Sequence, residues 1–370
     1  MRTIVVSDLH LGAGFDGDLV RRRDLREILL REVEGAAEVV LLGDTIELRD
    51  RPLAEALEIA RPFLEELGEA VGDGRVVFVA GNHDHQVIAP WLERRRLAGD
   101  GPLGLEQLAN PDLGIAARIA GPLGAAGLTL AYPGVWVRPG VYATHGHYMD
   151  CHVTVPTFER LGVAVTERLA GALPEGLRST DDYEAVLGPL YALLYGIAQG
   201  KHRPRRALGE NASARIWESV HGRAGRGPGI RGRVLGSVVL PAVVAVANRL
   251  GLGPLRWDIS LPEITQAGLR AMRELVPRLA IEADHVIFGH THRRGPLGGE
   301  PGWVLPGGTR LLNTGSWVYA PALVGPSSRG SPFWPGTVAV IEDGRPPELR
   351  HLLDDLDRAE LRRRPAGGRR

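Results

Sequence analysis

The chain has 370 residues, 44% hydrophobic and 24% charged, a composition that excludes a disordered or collagen-like chain and suits one large domain or two smaller ones. Its 44 basic and 44 acidic side chains cancel, so no nucleic-acid partner is expected from the overall field. A single cysteine, Cys151, excludes an internal disulfide framework and any multi-cysteine zinc or iron–sulfur site, and a metal would have to sit on His, Asp, Glu or Asn.

The N-terminal residues run straight into a strand-like segment, without the basic and then apolar regions of a secretory signal, and the expected location is the cytoplasm. Short β-rich runs then recur, each ending in a polar cluster: Thr3 to Ser7 before Asp8, Val39 to Leu42 before Asp44, and Val76 to Ala80 before Asn82, His83 and Asp84. Helical periodicity fills the gaps, over Leu19 to Glu34 and Pro52 to Val71. Alternation of this kind predicts an α/β layered fold.

From residue 151 the character changes. Phe158, Leu161, Val165 and Leu169 form one helical stripe, and Tyr183, Val186, Leu187, Leu190, Tyr191, Leu194 and Ile197 form another, with Thr180 and Asp181 as capping candidates. Residues 201–233 carry nine basic side chains against two acidic ones, which reads as a solvated face in an arginine-rich chain; the competing reading is attraction of an anionic substrate or lipid surface. The apolar run 234–247 is shorter than the ~20 residues of a membrane span and predicts a buried or surface-lying helix. Strand patterning returns at Val141 to Thr144 before His145 and His147, at His285 to Phe288 before His290 and His292, and at Arg310 to Leu312 and Thr337 to Ile341. The organisation expected is a discontinuous core of residues 1–150 and 275–350, a helical cap insertion over 151–274, and a basic, disordered tail over 358–370.

Side chains two apart on extended backbone project to the same side, so Asp8 with His10, and His290 with His292, can each grip one ion. Carboxylate and imidazole without thiolate favour Mn, Fe, Zn or Co over copper(I). Asp44 offers two oxygens and can bridge two ions; Asn82, His145 and the remaining histidine of the last pair complete a second site. His85 and His152 read as structural histidines, Cys151 as a small buried apolar residue, and the Asn211 sequon as chance.

In this order, and each at a strand end, Asp8-x-His10, Gly43-Asp44, the Gly81 to Asp84 run, His145-x-His147 and Gly289-His290-x-His292 resemble the calcineurin-like metallophosphoesterases, with the Asn313 to Trp317 segment adding to the likeness. The resemblance covers about residues 1–150 and 275–345. It implies a sandwich of two mixed sheets flanked by helices, and two divalent ions (Mn, Fe or Zn, with Mn favoured), one held by Asp8, His10, Asp44 and His292, the other by Asp44, Asn82, His145 and His290. It further implies attack on phosphorus by a hydroxide bridging the ions, with His83 as donor to the leaving oxygen and Asp84 orienting His83. His147 stands between two roles, supporting a ligand from behind or touching substrate.

The separation of 145 positions from His145 to His290 points to a cap over the site. A helical cap beside a dimetal centre, with the segments Ser7 to Gly12 and Gly43 to Glu47, is similar to the branch typified by UDP-2,3-diacylglucosamine pyrophosphohydrolase. The chain departs from that branch in carrying His83 where arginine is expected, and in the greater length of its cap. The function expected is hydrolysis of a phosphodiester or pyrophosphate in an anionic substrate, lipid- or nucleotide-linked, with peripheral lipid contact through the cap. Alternatives are a general or cyclic-nucleotide phosphodiesterase, and a non-catalytic binding scaffold of the same fold.

Overall fold

Runs of aliphatic and β-branched residues buried on both faces make strands of a covered, largely parallel sheet. In the computed structural model they form β1 (Arg2–Val6), β2 (Glu38–Leu42) and β3 (Arg75–Val79), joined in parallel register. The structure describes residues 1–13, 17–112, 114–155, 176–200, 260–325 and 330–363, with isolated positions between 160 and 166 and between 244 and 258. Further strands are β4 (Glu106–Ala109), β5 (Gly127–Arg138), β6 (Val141–Thr144), β7 (His285–Phe288), β8 (Arg294–Gly295), β9 (Arg310–Thr314), β10 (Thr337–Glu342) and β11 (Glu348–His351). Their order is β11-β10-β1-β2-β3-β5-β6-β7-β9-β8, with β4 on the flank of β5.

The long β5 joins two half-sheets. Its first part pairs with β3 in parallel as far as Ala131, and from Gly134 it pairs with β6 antiparallel. Pro133, which has no N–H to offer a ladder, stands at the changeover. Val5, Val40 and Val77 of one half and Val141, Ile287 and Leu312 of the other share a single buried cluster, so the halves face each other as a sandwich. Helices α1 (Arg23–Val33), α2 (Leu53–Val71), α3 (Ala89–Ala98) and α4 (Gly114–Leu123) follow in the first half, and α1, α2 and α4 pack on its outer face. Helices α5 (Thr180–Gln199) and α6 (Leu261–Arg278) bury residues with the second half. This is the α/β two-sheet sandwich flanked by helices that the sequence led us to expect.

Several boundaries differ from expectation. The first helix begins as a separate tight turn, Leu19–Arg21, before α1. Helix α5 is capped not by Thr180 or Asp181 but by Ser179, whose side chain accepts from the Asp182 amide while the Asp182 carboxylate accepts from the Ser179 amide. Arg358–Leu361, expected within a disordered tail, is a short helix: Leu361 is buried, and Arg22 donates to the Glu360, Leu361 and Arg363 carbonyls. The stripe Phe158 to Leu169, the basic segment 201–233 and most of the apolar run 234–247 lie outside the described residues. Among the described residues no helix is long and apolar enough to cross a membrane.

Candidate metal centre

Strands β1, β2 and β3 of one half-sheet and β6 and β7 of the other end at a common edge, where backbone bonds stitch the loops that follow them. Asp8 N donates to Gly43 O (3.1 Å), His10 N to Asp44 O (2.8 Å), Gly289 N to His145 O (3.1 Å) and Trp317 N to Asp8 O (3.0 Å). A carbon on Gly289 would run into the Asp8 carboxylate, so only glycine lets the two loops close. Six non-glycine residues among those described have positive φ, and five are Asp8, His10, Asp44, His290 and His292. Side chains other than glycine rarely adopt that backbone, and its concentration here marks strain held at one site.

Among the described residues three sets of side chains converge closely enough to share an ion: Asp8, His10 and His292; His10, Asp44 and His83; Asp44, His145 and His290. Asp44 Oδ2 joins two of them, lying 3.6 Å from His10 Nε2 and 3.3 Å from His145 Nε2. Three of these histidines are held from behind so that a lone pair can point inward. His145 Nδ1 lies 2.9 Å from Leu42 O, His10 Nδ1 3.1 Å from Glu47 Oε2, and His290 Nε2 2.7 Å from Asp150 Oδ1.

The inward atoms oppose one another as they would around a cation. His10 Nε2 faces His292 Nε2 at 3.0 Å, and the buried Asp8 Oδ1 lies 3.3 Å from the same His292 nitrogen. Asn82 Oδ1 lies 3.3 Å from His145 Nε2, 3.2 Å from His290 Nδ1 and 3.1 Å from Asp44 Oδ2. Without a cation the Asn82 amide satisfies its neighbours better with nitrogen inward; a cation reverses that preference. Burial by itself would push the Asp44 carboxyl up and the His145 imidazole down, but their proximity prevails, holding Asp44 well below the usual carboxylate range and raising His145 to about 9. This oxygen and imidazole donor set fits divalent ions of the borderline class.

His83 stands at the rim with its Nδ1 2.7 Å from Glu47 Oε2 and its amide donating to Asp44 Oδ1 (2.8 Å). Asp84, expected to orient His83, does not touch it. The Asp84 carboxylate instead accepts from the Gly81 and Thr45 amides at 2.7 and 2.8 Å, and more weakly from those of Asp44 and Ile46, tying the second and third loops together. Burial, then the Asp44 charge, pushes Asp84 up to about 6. His147 lies outside all three donor sets and bonds Tyr132 Oη through Nε2 (3.1 Å). His85 and His152 bond Glu184 and Tyr183, and Cys151 is buried.

Glu47, Asp150 and Arg49 have no role in the sequence reading. Arg49 Nη1 lies 2.8 Å from the outer atom of the Asn82 amide, so with Oδ1 inward two donors stand side by side. The one signal in the sequence is position: Glu47 and Arg49 lie three and five residues beyond Asp44, in the same loop.

A family model for calcineurin-like phosphoesterases matches residues 1–195, just over half of the chain. The chain belongs to this calcineurin-like phosphoesterase family. It is therefore a metal-dependent phosphoester hydrolase, whose reaction needs divalent ions. Among solved structures it is similar to a dimetal phosphatase from Danio rerio, with 12% identity, a TM-score of 0.33 and 93% of each chain covered. No curated protein sequence matches it.

Proposed function

We propose that this calcineurin-like phosphoesterase hydrolyses a phosphodiester or pyrophosphate bond in an anionic substrate, lipid- or nucleotide-linked, at a two-metal centre. Asp8, His10, Asp44 and His292 would hold one ion, and Asp44, Asn82, His145 and His290 the other, with manganese the favoured metal. The observation that carries the reading is that Asp44 Oδ2 lies between two donor sets, within 3.6 Å of His10 on one side and 3.3 Å of His145 on the other. Two divalent ions, when bound, supply Lewis acidity that lowers the pKa of water and offsets charge on phosphoryl oxygens.

The remaining work falls to the chain itself. Glu47 takes His83 Nδ1, which leaves Nε2 as the end that meets substrate and can give a proton to the leaving oxygen. Asn82 Nδ2 and Arg49 Nη1, two adjacent donors, suit a phosphoryl oxygen between them. Asp84 acts at one remove, fixing the loop that carries Asp44 to the loop that carries Asn82. Residues 151–274 form the cap in this reading, with α5 and most of α6 as its described helices, and the cytoplasm is where the enzyme works.

Metal analysis and a bis-p-nitrophenyl phosphate assay with manganese test the proposal. Two equivalents of metal, Mn-dependent turnover and loss of about 10²-fold or more in His83→Ala are expected. A chain that binds no metal, or whose turnover is indifferent to Asp44→Asn and His83→Ala, would be a scaffold.

A further inference from the structure

One carboxylate of helix α5 joins three separate parts of the core. Glu184 accepts from Tyr148 Oη (2.7 Å) and from Tyr132 Oη, and its Oε2 lies 3.0 Å from His85 Nε2. Tyr132 belongs to β5, Tyr148 to the turn His147–Cys151 that follows β6, and His85 to the turn His85–Val87 that follows β3. All three residues are buried, and the Tyr148 ring is also stacked on Tyr183 of α5, with centroids 4.9 Å apart and planes 10° from parallel.

Two of these contacts lead to the same group of metal-binding side chains. The turn that carries Tyr148 begins two residues beyond His145 and also carries Asp150, whose Oδ1 lies 2.7 Å from His290 Nε2. The turn that carries His85 begins directly after Asp84, in the loop of Asn82 and His83. Val87 N donates to Asp84 O at 2.9 Å, while the Asp84 carboxylate accepts from the Gly81 amide at 2.7 Å. Asn82, His145 and His290 are, with Asp44, the residues of the second ion in the reading above. The set of the first ion is braced from elsewhere, by Ser7 Oγ on the Asp8 carboxylate and by Glu47 behind His10.

We propose that Glu184 is a positioning residue for the second ion, holding from the inserted helix the two turns that set Asn82 and His290 in place. The inference rests on the two-metal reading above and extends the centre to a residue outside the strand-end loops. A carboxylate offers about four lone-pair sites, so one group can accept from three donors at once, and bonds to an ionised acceptor are about twice as strong as those between neutral groups. Without it two buried phenols and an imidazole lose their acceptor together, and each must turn to find another. Turning Tyr148 shifts the turn of Asp150 and takes away the backing of His290; turning His85 slackens the loop of Asn82. Removing a partner bonded directly to a metal ligand costs about 10–100-fold in metal affinity, and Glu184 acts one step further out.

The test is a calorimetric manganese titration of the chelator-treated full chain, in which wild type is expected to show two binding steps. His290→Ala identifies the step that belongs to the second ion. Glu184→Ala should weaken that step by about fivefold or more and leave the other within about twofold. Tyr148→Phe, which removes one of the three donors and keeps a ring against Tyr183, should weaken the same step by about threefold. Asp182→Ala breaks the capping box at the start of α5 and leaves the Glu184 bonds intact, so it should lower the thermal midpoint with both steps unmoved. Equal weakening of both steps in Glu184→Ala, no weakening, or a loss matched by Asp182→Ala would mean that Glu184 only holds the helix down, and would overturn the inference. If the thermal midpoint shows Glu184→Ala unfolded, Tyr148→Phe decides by the same criterion. A wild type that binds fewer than two manganese ions would defeat the two-metal reading itself, and the positioning role with it.

Discussion

Glu47 Oε2 lies 2.7 Å from Nδ1 of His83 and also 3.1 Å from Nδ1 of His10, so one buried carboxylate fixes the rings of two histidines of the donor sets. Glu47 is itself anchored by the amides of Arg49 and Asp50, which donate to Oε1 at 2.9 and 3.1 Å. Removing its charge while keeping its shape should disturb both histidines together. Glu47→Gln is expected to lower both metal affinity and phosphodiester turnover by about 10–100-fold. Metal titration followed by a bis-p-nitrophenyl phosphate assay at saturating manganese separates the two effects, and a variant with wild-type values in both would sink the assignment.

The opposed lone pairs of the centre make a second prediction. His10 and His292 nitrogens 3.0 Å apart, and Asn82 Oδ1 3.1 Å from Asp44 Oδ2, are strained neighbours until a cation lies between them. A ligand that binds only the folded chain stabilises it by about 4 kcal/mol at a thousandfold excess over Kd. Adding manganese to chelator-treated protein should therefore raise the thermal midpoint by roughly 5 °C or more, in proportion to log concentration. Asp44→Asn, which weakens both donor sets, should lose most of that rise. A midpoint that ignores manganese would contradict the arrangement.

What was legible in the sequence and what was not divide along physical lines. Asp8, Asp44, Asn82, His145, His290 and His292 stand directly after aliphatic runs, so both the strand and the polar group at its end can be read locally. The α/β layering follows from the same runs. The strand β5 was not legible, because Pro133 and Gly134 interrupt it; they fall where the strand leaves β3 for β6 and no ladder bond from residue 133 is needed. The positive φ of five site residues leaves no trace in side-chain identity. Glu184 meets Tyr132 across 52 residues and His85 across 99, contacts that exist only once the inserted helix has docked. Asp84 follows His83 in sequence, yet adjacent side chains diverge, and the His83 ring is met by Glu47 from another loop.

Asp18 gives a prediction in pH. Its carboxylate is buried, with Oδ2 accepting from the Gly12 amide at 3.0 Å, and burial pushes its pKa up to about 6 in spite of Arg21 nearby. The folded state thus favours the protonated acid more than the unfolded chain does. The stability this gives is complete below pH about 4, and is lost as pH rises through about 6, a change of about 3 kcal/mol. Asp18→Asn keeps an acceptor for Gly12 and cannot ionise. Urea midpoints between pH 4 and 7 should show wild type losing stability relative to Asp18→Asn over that window, and parallel curves would show that Asp18 is not titrating there.

The last prediction sets one substitution against itself at two positions. A carbon on Gly81 would lie 2.6 Å from the Asp44 amide and 2.8 Å from His145 Cδ2, both on loops pinned by the Asp84 carboxylate and the Leu42 carbonyl. Those neighbours cannot give without moving the donor sets, so Gly81→Ala should destabilise by about 1–3 kcal/mol and weaken metal binding as well. Gly196, inside α5, has nothing within 4 Å of a added carbon. There the same change only removes backbone freedom from the unfolded chain, and Gly196→Ala should stabilise by about 0.5–1 kcal/mol with metal affinity unmoved. Urea denaturation with manganese titration on both variants reads the opposite signs; equal effects would mean that the close approach at Gly81 is not what constrains the centre.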